Sequence, residues 1–481
     1  MNLSRIVERW AEHFPAKTAI HFQGADWAYA ELWRRIEDAT RALDVAKGDR
    51  VAWLGYNSPE MLVLLFALAR LGAILVPLNW RLTVAEHRAI VADCAPRLLF
   101  AEPEFEAHAD ALGVARGRLK GGRARSPAGR DEDEVLIVYT SGTTGKPKGA
   151  VLSQSALLWN GFNSIHAHDL SQADHVLNAL PMFHVGGLNN QTLPALLAGA
   201  TVTLHKRFDP GLWLADVARR RPTLSLLVPA TMQAIIAHPD WSSTELSSLK
   251  MINSGSMVVP DSLIRAFHAR GVPVGQIYGC TETAPIATVL LKEDALRKVG
   301  SAGKPAPHCE VKIVDEKGRP ATPGGSGEIL VRGPNVMGRY WNDPQETAAA
   351  FADGWFRTGD LGRVDEQGFY WIMGRAKDVI ISGGENIYPA ELENVLADCA
   401  AIAESAVIGV EDLKWGEAAC ACIVLREGKR LDEAAVLALF ADRLAKYKHP
   451  RRILFLESLP KNALGKVQKF ELKRALAARR D

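Results

Sequence analysis

The sequence has few cysteines, almost no net charge and no long uninterrupted apolar run. Its six cysteines among 481 residues include no CxxC pair, so neither a disulfide framework nor a zinc site is indicated. Lys and Arg total 57 against 55 Asp and Glu, and a net charge of +2 favours neither nucleic acid nor an anionic membrane surface. These absences predict a cytoplasmic protein whose partners are small molecules.

The longest apolar stretch, from Met61 to Leu78, is interrupted by Arg70, Gly72 and Pro77. This pattern predicts a buried helix followed by a strand, with no membrane span. The first 22 residues predict an amphipathic helix broken at Pro15, and they lack the apolar core of a signal peptide. Hydrophobic residues make up 48% and charged residues 23% of the chain, which is typical of a globular protein with a large core.

The pattern of predicted helices and strands changes along the chain. From about residue 50, β-branched runs alternate with helical patterns, as in βα units on a largely parallel sheet. After about Lys304 short strands between Gly, Pro and Asp turns predict a small antiparallel β unit. The expected fold is α/β: a large N-terminal domain of α/β subdomains plus the β unit (1–374), a boundary at 375–378, and an α+β C-terminal domain (379–481). The Gly- and Arg-rich stretch 113–134 predicts an exposed linker.

The segment YTSGTTGKPKG, at 139–149, is the most specific pattern in the chain. It follows an apolar strand and contains five hydroxyls, three glycines and two lysines. Glycines let backbone N–H groups approach phosphate oxygens, hydroxyls add donors, and lysines supply positive charge. It is not a Walker A loop, because Pro147 follows Gly145-Lys146; a surface turn is the alternative interpretation. The predicted phosphate-binding residues are Thr140, Ser141, Gly142, Thr143, Thr144, Gly145, Lys146, Lys148 and Gly149.

The segment GQIYGCTETAP, at 275–285, runs from a predicted strand into a glycine turn. Thr281 could donate to a phosphate oxygen and Glu282 could hold Mg²⁺ against it. Tyr278 could offer its ring to a base, although a tyrosine before a turn is also a common packing residue.

Three more polar stretches follow. In DGWFRTGDLG, at 353–362, Asp360 comes after a glycine in a predicted turn, where it could accept two ribose hydroxyls or form an Asx turn. GRAKDVIISGGENIYP, at 374–389, places a charged break before a strand and a glycine loop. LPKNALGKVQK, at 459–469, is a lysine-bearing loop that either meets phosphate or faces water.

Together and in this order, these five stretches resemble the core motifs of the adenylate-forming superfamily, which includes acyl-CoA synthetases, adenylation domains of peptide synthetases and firefly luciferase. The resemblance covers essentially the whole chain and is greatest to bacterial feruloyl-type and fatty-acyl-CoA synthetases. It implies a two-step reaction. A carboxylic acid attacks the α-phosphate of ATP to give an acyl-adenylate and pyrophosphate, and a thiol then displaces AMP. ATP, Mg²⁺ and coenzyme A are the implied cofactors.

The resemblance also implies a role for each motif. The 140–149 loop would cradle the β- and γ-phosphates, Thr281 would touch the α-phosphate, and Glu282 would coordinate Mg²⁺. Lys466 would bridge the attacking carboxylate and the α-phosphate, because one ammonium between two negative groups offsets their repulsion. The implied adenosine-binding residues are Tyr278, Gly279, Gly255, Ser256, Asp360 and Arg375.

Lys377 matches the family's hinge, about which the C-terminal domain would turn between the two half-reactions. After that turn, Ser382, Gly383 and Gly384 would replace Lys466 and line the thiol's path, because glycines leave room for the pantetheine arm.

His184, in LPMFHVGG, matches the family's aromatic position at the acyl pocket and would orient the carboxylate; a turn histidine is the alternative. The segments expected to line this pocket, 184–190, 227–232, 253–257 and 283–288, contain no Arg, Lys, Asp or Glu. A second carboxylate or an α-ammonium would be unpaired there, which disfavours malonate and amino acids. Fatty, aryl and cinnamic acids fit, and Asn189, Asn190 and Ser254 could meet a phenolic hydroxyl.

We expect CoA as the acceptor, because no carrier domain follows the C-terminal lysine motif. A stand-alone adenylating enzyme that loads a carrier protein is the alternative. A luciferase-type oxygenase and a silent nucleotide-binding homologue are less favoured, and the intact Lys466, Glu282 and 140–149 loop argue against the silent homologue. The sequence is compatible with a homodimer and does not determine the acid.

Overall fold

The fold is taken from a computed structural model, which describes residues 2–119, 128–141, 147–257, 259–315, 317–383, 385–441, 443–461 and 465–477. In chain order the strands are β1 Thr18–Phe22, β2 Ala25–Ala28, β3 Arg50–Leu54, β4 Ile74–Leu78, β5 Leu98–Ala101, β6 Glu134–Ser141, β7 Pro147–Ser153, β8 His175–Asn178, β9 Thr201–Leu204, β10 Leu224–Leu227, β11 Met251–Gly255, β12 Val274–Tyr278, β13 Thr288–Val289, β14 Lys304–Pro305, β15 Glu310–Val314, β16 Ser326–Arg332, β17 Arg339–Tyr340, β18 Phe351–Ala352, β19 Trp355–Val364, β20 Tyr370–Arg375, β21 Ile380–Ser382, β22 Glu385–Ile387, β23 Ile402–Asp412, β24 Gly416–Leu425 and β25 Arg452–Phe455.

The α-helices are α1 Ser4–His13, α2 Tyr29–Ala42, α3 Pro59–Leu71, α4 Val84–Cys94, α5 Glu106–Asp110, α6 Gln154–His168, α7 Val185–Asn189, α8 Thr192–Leu197, α9 Pro210–Arg220, α10 Pro229–Ile236, α11 Asp261–His268, α12 Lys292–Ala295, α13 Pro344–Ala350, α14 Pro389–Ala397, α15 Glu433–Ala438 and α16 Lys469–Ala477. Short 3₁₀ turns cover Pro103–Phe105, Pro239–Trp241, Thr281–Thr283, Ala376–Asp378 and Lys446–Lys448.

Helix α3 and strand β4 show how local sequence sets the structure. The Ser58 side chain accepts from the backbone N–H of Glu60 and Pro59 occupies the first turn, so α3 begins there. Gly72, with φ of 70°, ends it. The long apolar stretch is therefore a buried helix followed by a buried strand, as its interruptions predict. In the described part of the chain no helix is long and apolar enough to cross a membrane.

The expected α/β class is confirmed, with two sheets in place of one largely parallel sheet. One has the order β14-β13-β12-β11-β10-β8-β9-β1-β2, and the other β17-β7-β6-β4-β3-β5. Strands β8, β10, β11 and β12 run parallel in the first, and β3, β4, β5 and β6 in the second. Antiparallel strands β2 and β17 lie at sheet edges, and antiparallel β7 lies between β17 and β6. Sequence periodicity predicts the strands, but long-range pairing decides how they divide into sheets.

Two smaller sheets follow in the chain. Strands β15, β16, β18, β19 and β20 pair antiparallel, which confirms the small β unit expected after Lys304. Strands β21 to β25 form a separate sheet with a core of its own, in which Leu392 and Phe440 are fully buried. The Lys377 turn, Ala376–Asp378, connects β20 of one sheet to β21 of the other. Part of the 113–134 linker, 120–127, lies outside the described residues.

Candidate functional site

The predicted motifs gather at the carboxyl ends of parallel strands. Strand β11 ends at Gly255 and β12 ends at Tyr278, and they pair with Gly255 opposite Ile277. A Cβ on Gly255 would lie 2.4 Å from the Ile277 carbonyl oxygen, so only glycine permits this approach. Ser256 follows with φ of 68° and turns the chain away from the sheet. Such a crevice beyond the strand ends is where open α/β sheets bind ligands.

Tyr278, Asp360 and Arg375 form one polar cluster above these strand ends. The Tyr278 hydroxyl donates to Asp360 Oδ2 at 2.9 Å, and Arg375 Nε contacts Asp360 Oδ1 at 2.9 Å. Burial raises the pKa of the Asp360 carboxyl, while Arg375, Tyr278 and Lys466 act against the increase. The turn expected at Asp360 is wrong: the residue lies inside β19 and pairs with Arg375 on β20. The strand is irregular here, because Gly359 has a φ of 68° and the register shifts close by. This irregularity explains why the sequence of the strand resembles that of a turn.

The turn after β12 carries Thr281 and Glu282. Gly279 is required at its start, because a Cβ there would lie 1.6 Å from the Pro285 carbonyl oxygen. Thr281 is buried, and the Tyr340 hydroxyl donates to Glu282 Oε1 at 2.7 Å. Sequence reasoning missed Tyr340, since nothing in one sequence links it to a glutamate 58 residues away.

The hydroxyl-rich segment joins two antiparallel strands of the second sheet. Thr140 faces Lys148 and Ser141 faces Pro147 across β6 and β7, and Thr140 Oγ1 lies 3.4 Å from the Lys148 carbonyl oxygen. The Lys148 ammonium contacts the Glu346 carboxylate and lies 5.7 Å from the Tyr340 ring centre. A Cβ on Gly149 would lie 2.8 Å from Ile137 Cγ2. The five predicted phosphate-binding residues Gly142, Thr143, Thr144, Gly145 and Lys146 lie outside the described part.

Lys466 lies within electrostatic range of the polar cluster at Asp360 and Arg375. Crowding by protein atoms partly desolvates its side chain and lowers the pKa of Lys466, and the Arg375 charge acts in the same direction. The Asp360 and Asp378 carboxylates oppose that change in pKa. Gly465, the preceding residue, approaches Ala230, since a Cβ there would lie 3.5 Å from the alanine methyl. The structure thus brings Lys466 to the Asp360–Arg375 pair.

His184 caps helix α7 near Lys466. Its Nδ1 accepts from the backbone N–H of Gly186 at 3.0 Å, which leaves the ring proton of the neutral imidazole on Nε2. Burial, together with the nearby Lys466 charge, lowers the pKa of His184 to about 4. The imidazole is therefore neutral at physiological pH.

Ser382 and Gly383 lie elsewhere, in the hairpin between β21 and β22. The Gly383 N–H donates to the Trp415 carbonyl oxygen at 2.8 Å, and a Cβ on Gly383 would lie 2.6 Å from the Trp415 ring. Ser382 is buried and pairs with Gly416. Gly384 lies outside the described residues, and Lys377 is exposed in the turn between the two sheets.

A second cavity, of about 240 Å³, adjoins the Lys466 loop through Gly465 and Ala230. Three cations line it, Arg81, Lys206 and Arg207. The Arg81 guanidinium carbon lies 4.3 Å from the Trp80 ring centre, and the Arg207 carbon lies 5.6 Å from the same ring. Sequence analysis missed this cavity, although Lys206 and Arg207 lie two and three residues after the end of β9 and the strand-end rule could have identified them.

The donor set around Glu282 fits Mg²⁺. The described residues contain no group of three His, Cys, Asp or Glu side chains that could hold a metal ion by themselves. Mg²⁺ is commonly held by one or two carboxylates together with substrate phosphates and water. The Glu282 carboxylate is partly accessible and is fixed by the Tyr340 hydroxyl, so it could provide such a ligand.

Comparison with known proteins agrees with this geometry. Residues 7–341 match the family model described as AMP-binding enzyme, and 391–466 match the AMP-binding enzyme C-terminal domain. The chain is 51% identical to an indoleacetate–CoA ligase of Aromatoleum aromaticum, over 99% of this chain and 98% of that protein. It is 43% identical to a feruloyl-CoA synthase of an Amycolatopsis species, over 97% of each.

Among solved structures, the ATP-bound MatB from Rhodopseudomonas palustris superposes with a TM-score of 0.91 at 33% identity, and 99% of each chain is covered. The match in sequence spans both parts of the chain, and the match in structure includes a nucleotide-bound protein. The chain belongs to the AMP-binding enzyme family.

Proposed function

We propose that this protein is an AMP-forming acid–CoA ligase that activates an aromatic or apolar carboxylic acid with ATP and transfers the acyl group to CoA. The observation that carries the proposal is the convergence of Lys466, Asp360, Arg375 and His184 on one cleft at the strand ends. The named relatives are CoA ligases for indoleacetate and ferulate, which supports an aromatic acid.

In the first half-reaction a carboxylate oxygen of the acid attacks the α-phosphorus of ATP. A new P–O bond forms as the bond to the β-phosphate oxygen breaks, and pyrophosphate leaves with that electron pair. Lys466 supplies positive charge where the two anions meet, and its lowered pKa reflects a partly desolvated ammonium that interacts strongly with such charges. Thr281 contributes a hydroxyl beside the α-phosphate.

Asp360 is the proposed acceptor for the ribose hydroxyls. Tyr278 and Arg375 hold both of its oxygens at 2.9 Å, so the carboxylate is fixed before the nucleotide arrives. Glu282 would hold Mg²⁺, which when bound offsets phosphate charge and orients the pyrophosphate leaving group. Lys148 and the 140–149 loop are proposed to bind the β- and γ-phosphates.

His184 is proposed to orient the acid. Its neutral ring keeps one proton on Nε2, because Nδ1 is occupied by the Gly186 N–H. The Nε2–H of the His184 ring can donate to a carboxylate oxygen without adding a second full charge beside Lys466. An imidazolium here would repel the lysine, which is one reason for the low pKa of His184.

In the second half-reaction the CoA thiolate attacks the acyl carbon, and AMP leaves as the C–O bond to its phosphate breaks. The Arg81, Lys206 and Arg207 cavity beside the Lys466 loop offers three cations and an aromatic ring to the phosphates and adenine of CoA. We further propose that the chain turns at Lys377 so that Ser382, Gly383 and Gly384 replace Lys466 during this step. Domains 1–374 and 379–481 would then move as units.

Loading of a carrier-protein thiol remains the alternative acceptor reaction. We also propose a cytoplasmic enzyme that acts on small molecules without nucleic acid, with a homodimer as its expected assembly. All six cysteines lie within the described residues and none forms a disulfide, which agrees with a reducing compartment.

The test is pyrophosphate release from ATP and Mg²⁺ over acetate, octanoate, palmitate, benzoate, ferulate, indole-3-acetate and malonate, with and without CoA. A CoA-dependent signal that peaks on one aromatic or apolar acid supports the proposal. Release that is indifferent to CoA would instead favour carrier loading, and release confined to malonate would contradict the expected acid pocket.

A further inference from the structure

Four buried amide side chains, those of Asn189, Asn190, Gln191 and Asn253, have hydrogen-bonding atoms without partners. Asn189, Gln191 and Asn253 are at most 2% exposed. Gln191 Nε2 donates to Asn253 Oδ1 at 2.8 Å, which joins two of them. The amide oxygen of Gln191, the amide nitrogen of Asn253 and both polar atoms of Asn189 have no partner. We refer to Asn189, Gln191 and Asn253 as the amide cluster.

The position of the amide cluster relates it to the acid site. Asn189 ends helix α7, five residues after His184 caps it, which is about 7.5 Å of helical rise. Asn253 lies on β11 two residues before Gly255, about 7 Å along the strand from the proposed adenosine site. An acid held by its carboxylate at His184 and Lys466 would need to extend inward by such a length, roughly 7 Å, for its ring to meet these amides. Ser254 alternates with Asn253 and faces the other side of the sheet, so it is not part of the cluster.

Two other buried asparagines, Asn57 and Asn163, have hydrogen-bond partners on both of their polar atoms. Asn57 donates to two carbonyl oxygens and accepts from the Met182 N–H. Asn163 donates to Cys309 Sγ and accepts from the His308 N–H at 2.8 Å. Buried polar groups in native proteins are nearly always paired, so partnerless amides mark a place where a ligand completes the bonding.

We propose that the amide cluster binds an uncharged N–H or O–H donor on the ring of the acid, and that this contact selects hydroxyaryl or indolyl acids over unsubstituted rings. The inference rests on the proposed ligase function and adds its substrate class. Neutral amides suit a neutral polar group, because a charged one would lack a counter-ion at this depth. A ring donor satisfies an amide oxygen, and a hydroxyl also accepts from an amide N–H.

The test compares matched acids that differ only in the donor. 4-Hydroxycinnamate is paired with 4-methylcinnamate, and indole-3-acetate with benzothiophene-3-acetate, in a CoA-dependent assay of AMP formation. We expect kcat/KM to favour the donor-bearing member of at least one pair by about 100-fold or more, since a site built to bond an N–H or O–H leaves its own groups unpaired when the donor is missing. The two pairs distinguish a ring hydroxyl from a ring nitrogen.

Variants assign the preference to the cluster. Asn189→Leu removes two partnerless atoms and breaks no side-chain hydrogen bond, so we expect unchanged or higher thermal stability and at least a tenfold loss of the preference. Gln191→Met combined with Asn253→Leu removes the bonded pair together, and we expect gained activity on the apolar member, which also shows that the variant folds. Asn163→Leu is the matched control, with lowered stability and an unchanged preference.

Equal kcat/KM within both pairs in the wild type would overturn the inference while leaving the ligase proposal intact. A preference that survives in Asn189→Leu and in the double variant would also overturn it. Failure of the ligase proposal is a different outcome: no acid of either kind would give CoA-dependent AMP.

Discussion

The Tyr278 hydroxyl and the Asp360 carboxylate lie 2.9 Å apart although 82 residues separate them in the chain. The hydrogen bond joins the end of a parallel strand to the antiparallel β unit, and Arg375 holds the other oxygen of the same carboxylate. Two motifs that look unrelated in sequence thus form one side of the proposed nucleotide site. Folding fixes the carboxylate geometry before a ligand binds, which reduces the entropy cost of binding.

We expect Asp360→Asn to lower kcat/KM for ATP by about 100-fold, because two charge-assisted bonds to ribose weaken and Arg375 loses its counter-ion. The KM for the acid should change little, since Asp360 does not face it. Steady-state kinetics with each substrate varied in turn is the measurement. Asp365→Asn is the control, because Asp365 lies in the turn between β19 and β20 and pairs with Lys298 at 2.7 Å. Equal losses in both variants would mean a structural effect only.

Lys466→Ala should abolish acyl-adenylate formation and leave thioester formation from preformed acyl-adenylate. The reason is that the ammonium interacts with the anions of the first step, while the second step releases AMP from an adenylate already made. Rapid-quench assays of the separate half-reactions check this. Lys461→Ala, which removes a lysine of the same motif paired with Glu404, should retain both. Loss of both half-reactions in Lys466→Ala would refute the two-conformation assignment.

Tyr340→Phe should raise the Mg²⁺ concentration for half-maximal activity by about 10- to 100-fold, as is usual when the hydrogen bond that orients a metal-binding carboxylate is lost. The kcat at saturating Mg²⁺ should fall much less. A Mg²⁺ titration at fixed free ATP measures the effect. Tyr370→Phe is the matched control, because its hydroxyl donates to the Val311 carbonyl oxygen. An unchanged Mg²⁺ requirement in Tyr340→Phe would remove Glu282 from the metal site.

Because four histidines have lowered pKa values, we expect acid to destabilise the fold at pH values well above those at which carboxylates usually protonate. Burial lowers the pKa of four histidines to about 4: His87, His168, His175 and His184. A neighbouring histidine contributes to the lowered pKa of His87 and His175, and Lys466 contributes to that of His184. Between pH 6.5 and 4 the unfolded chain binds protons that the folded protein does not, so stability falls as the pH decreases. Each histidine contributes a slope of up to about 1.4 kcal/mol per pH unit.

Urea denaturation at pH 7.5, 6 and 5 measures this slope. We expect the midpoint to fall steadily from pH 6.5 downwards, and a conservative variant such as His168→Gln to have a shallower slope. A midpoint that is constant between pH 6.5 and 5 would show that these rings take up protons in the folded protein.

Local sequence pattern predicted much of the fold and the site motifs. Strand β12 ends where the sequence predicted a strand before a glycine turn, and Gly279 lies at that turn, because these features depend on neighbouring residues. The pattern mistook Asp360 for a turn residue, because a strand with a bulge at a glycine has the composition of a turn.

Partners brought together by tertiary pairing were beyond the sequence. Tyr340 reaches Glu282 only because β17 pairs with β7, and Glu346 reaches Lys148 across 198 residues. The partnerless state of Asn189 and Gln191 likewise depends on what the fold places around them. A single sequence contains the residues and no record of these distances.

The most direct test of the account is the fate of oxygen from the acid. The acid, labelled with ¹⁸O in both carboxylate oxygens, is incubated with ATP, Mg²⁺ and CoA, and the products are analysed by mass spectrometry. Attack of the carboxylate on the α-phosphorus predicts one labelled oxygen in AMP and one in the acyl-CoA. Unlabelled AMP, or label in inorganic phosphate alongside ADP, would contradict an acyl-adenylate and with it the roles proposed for Lys466 and Asp360.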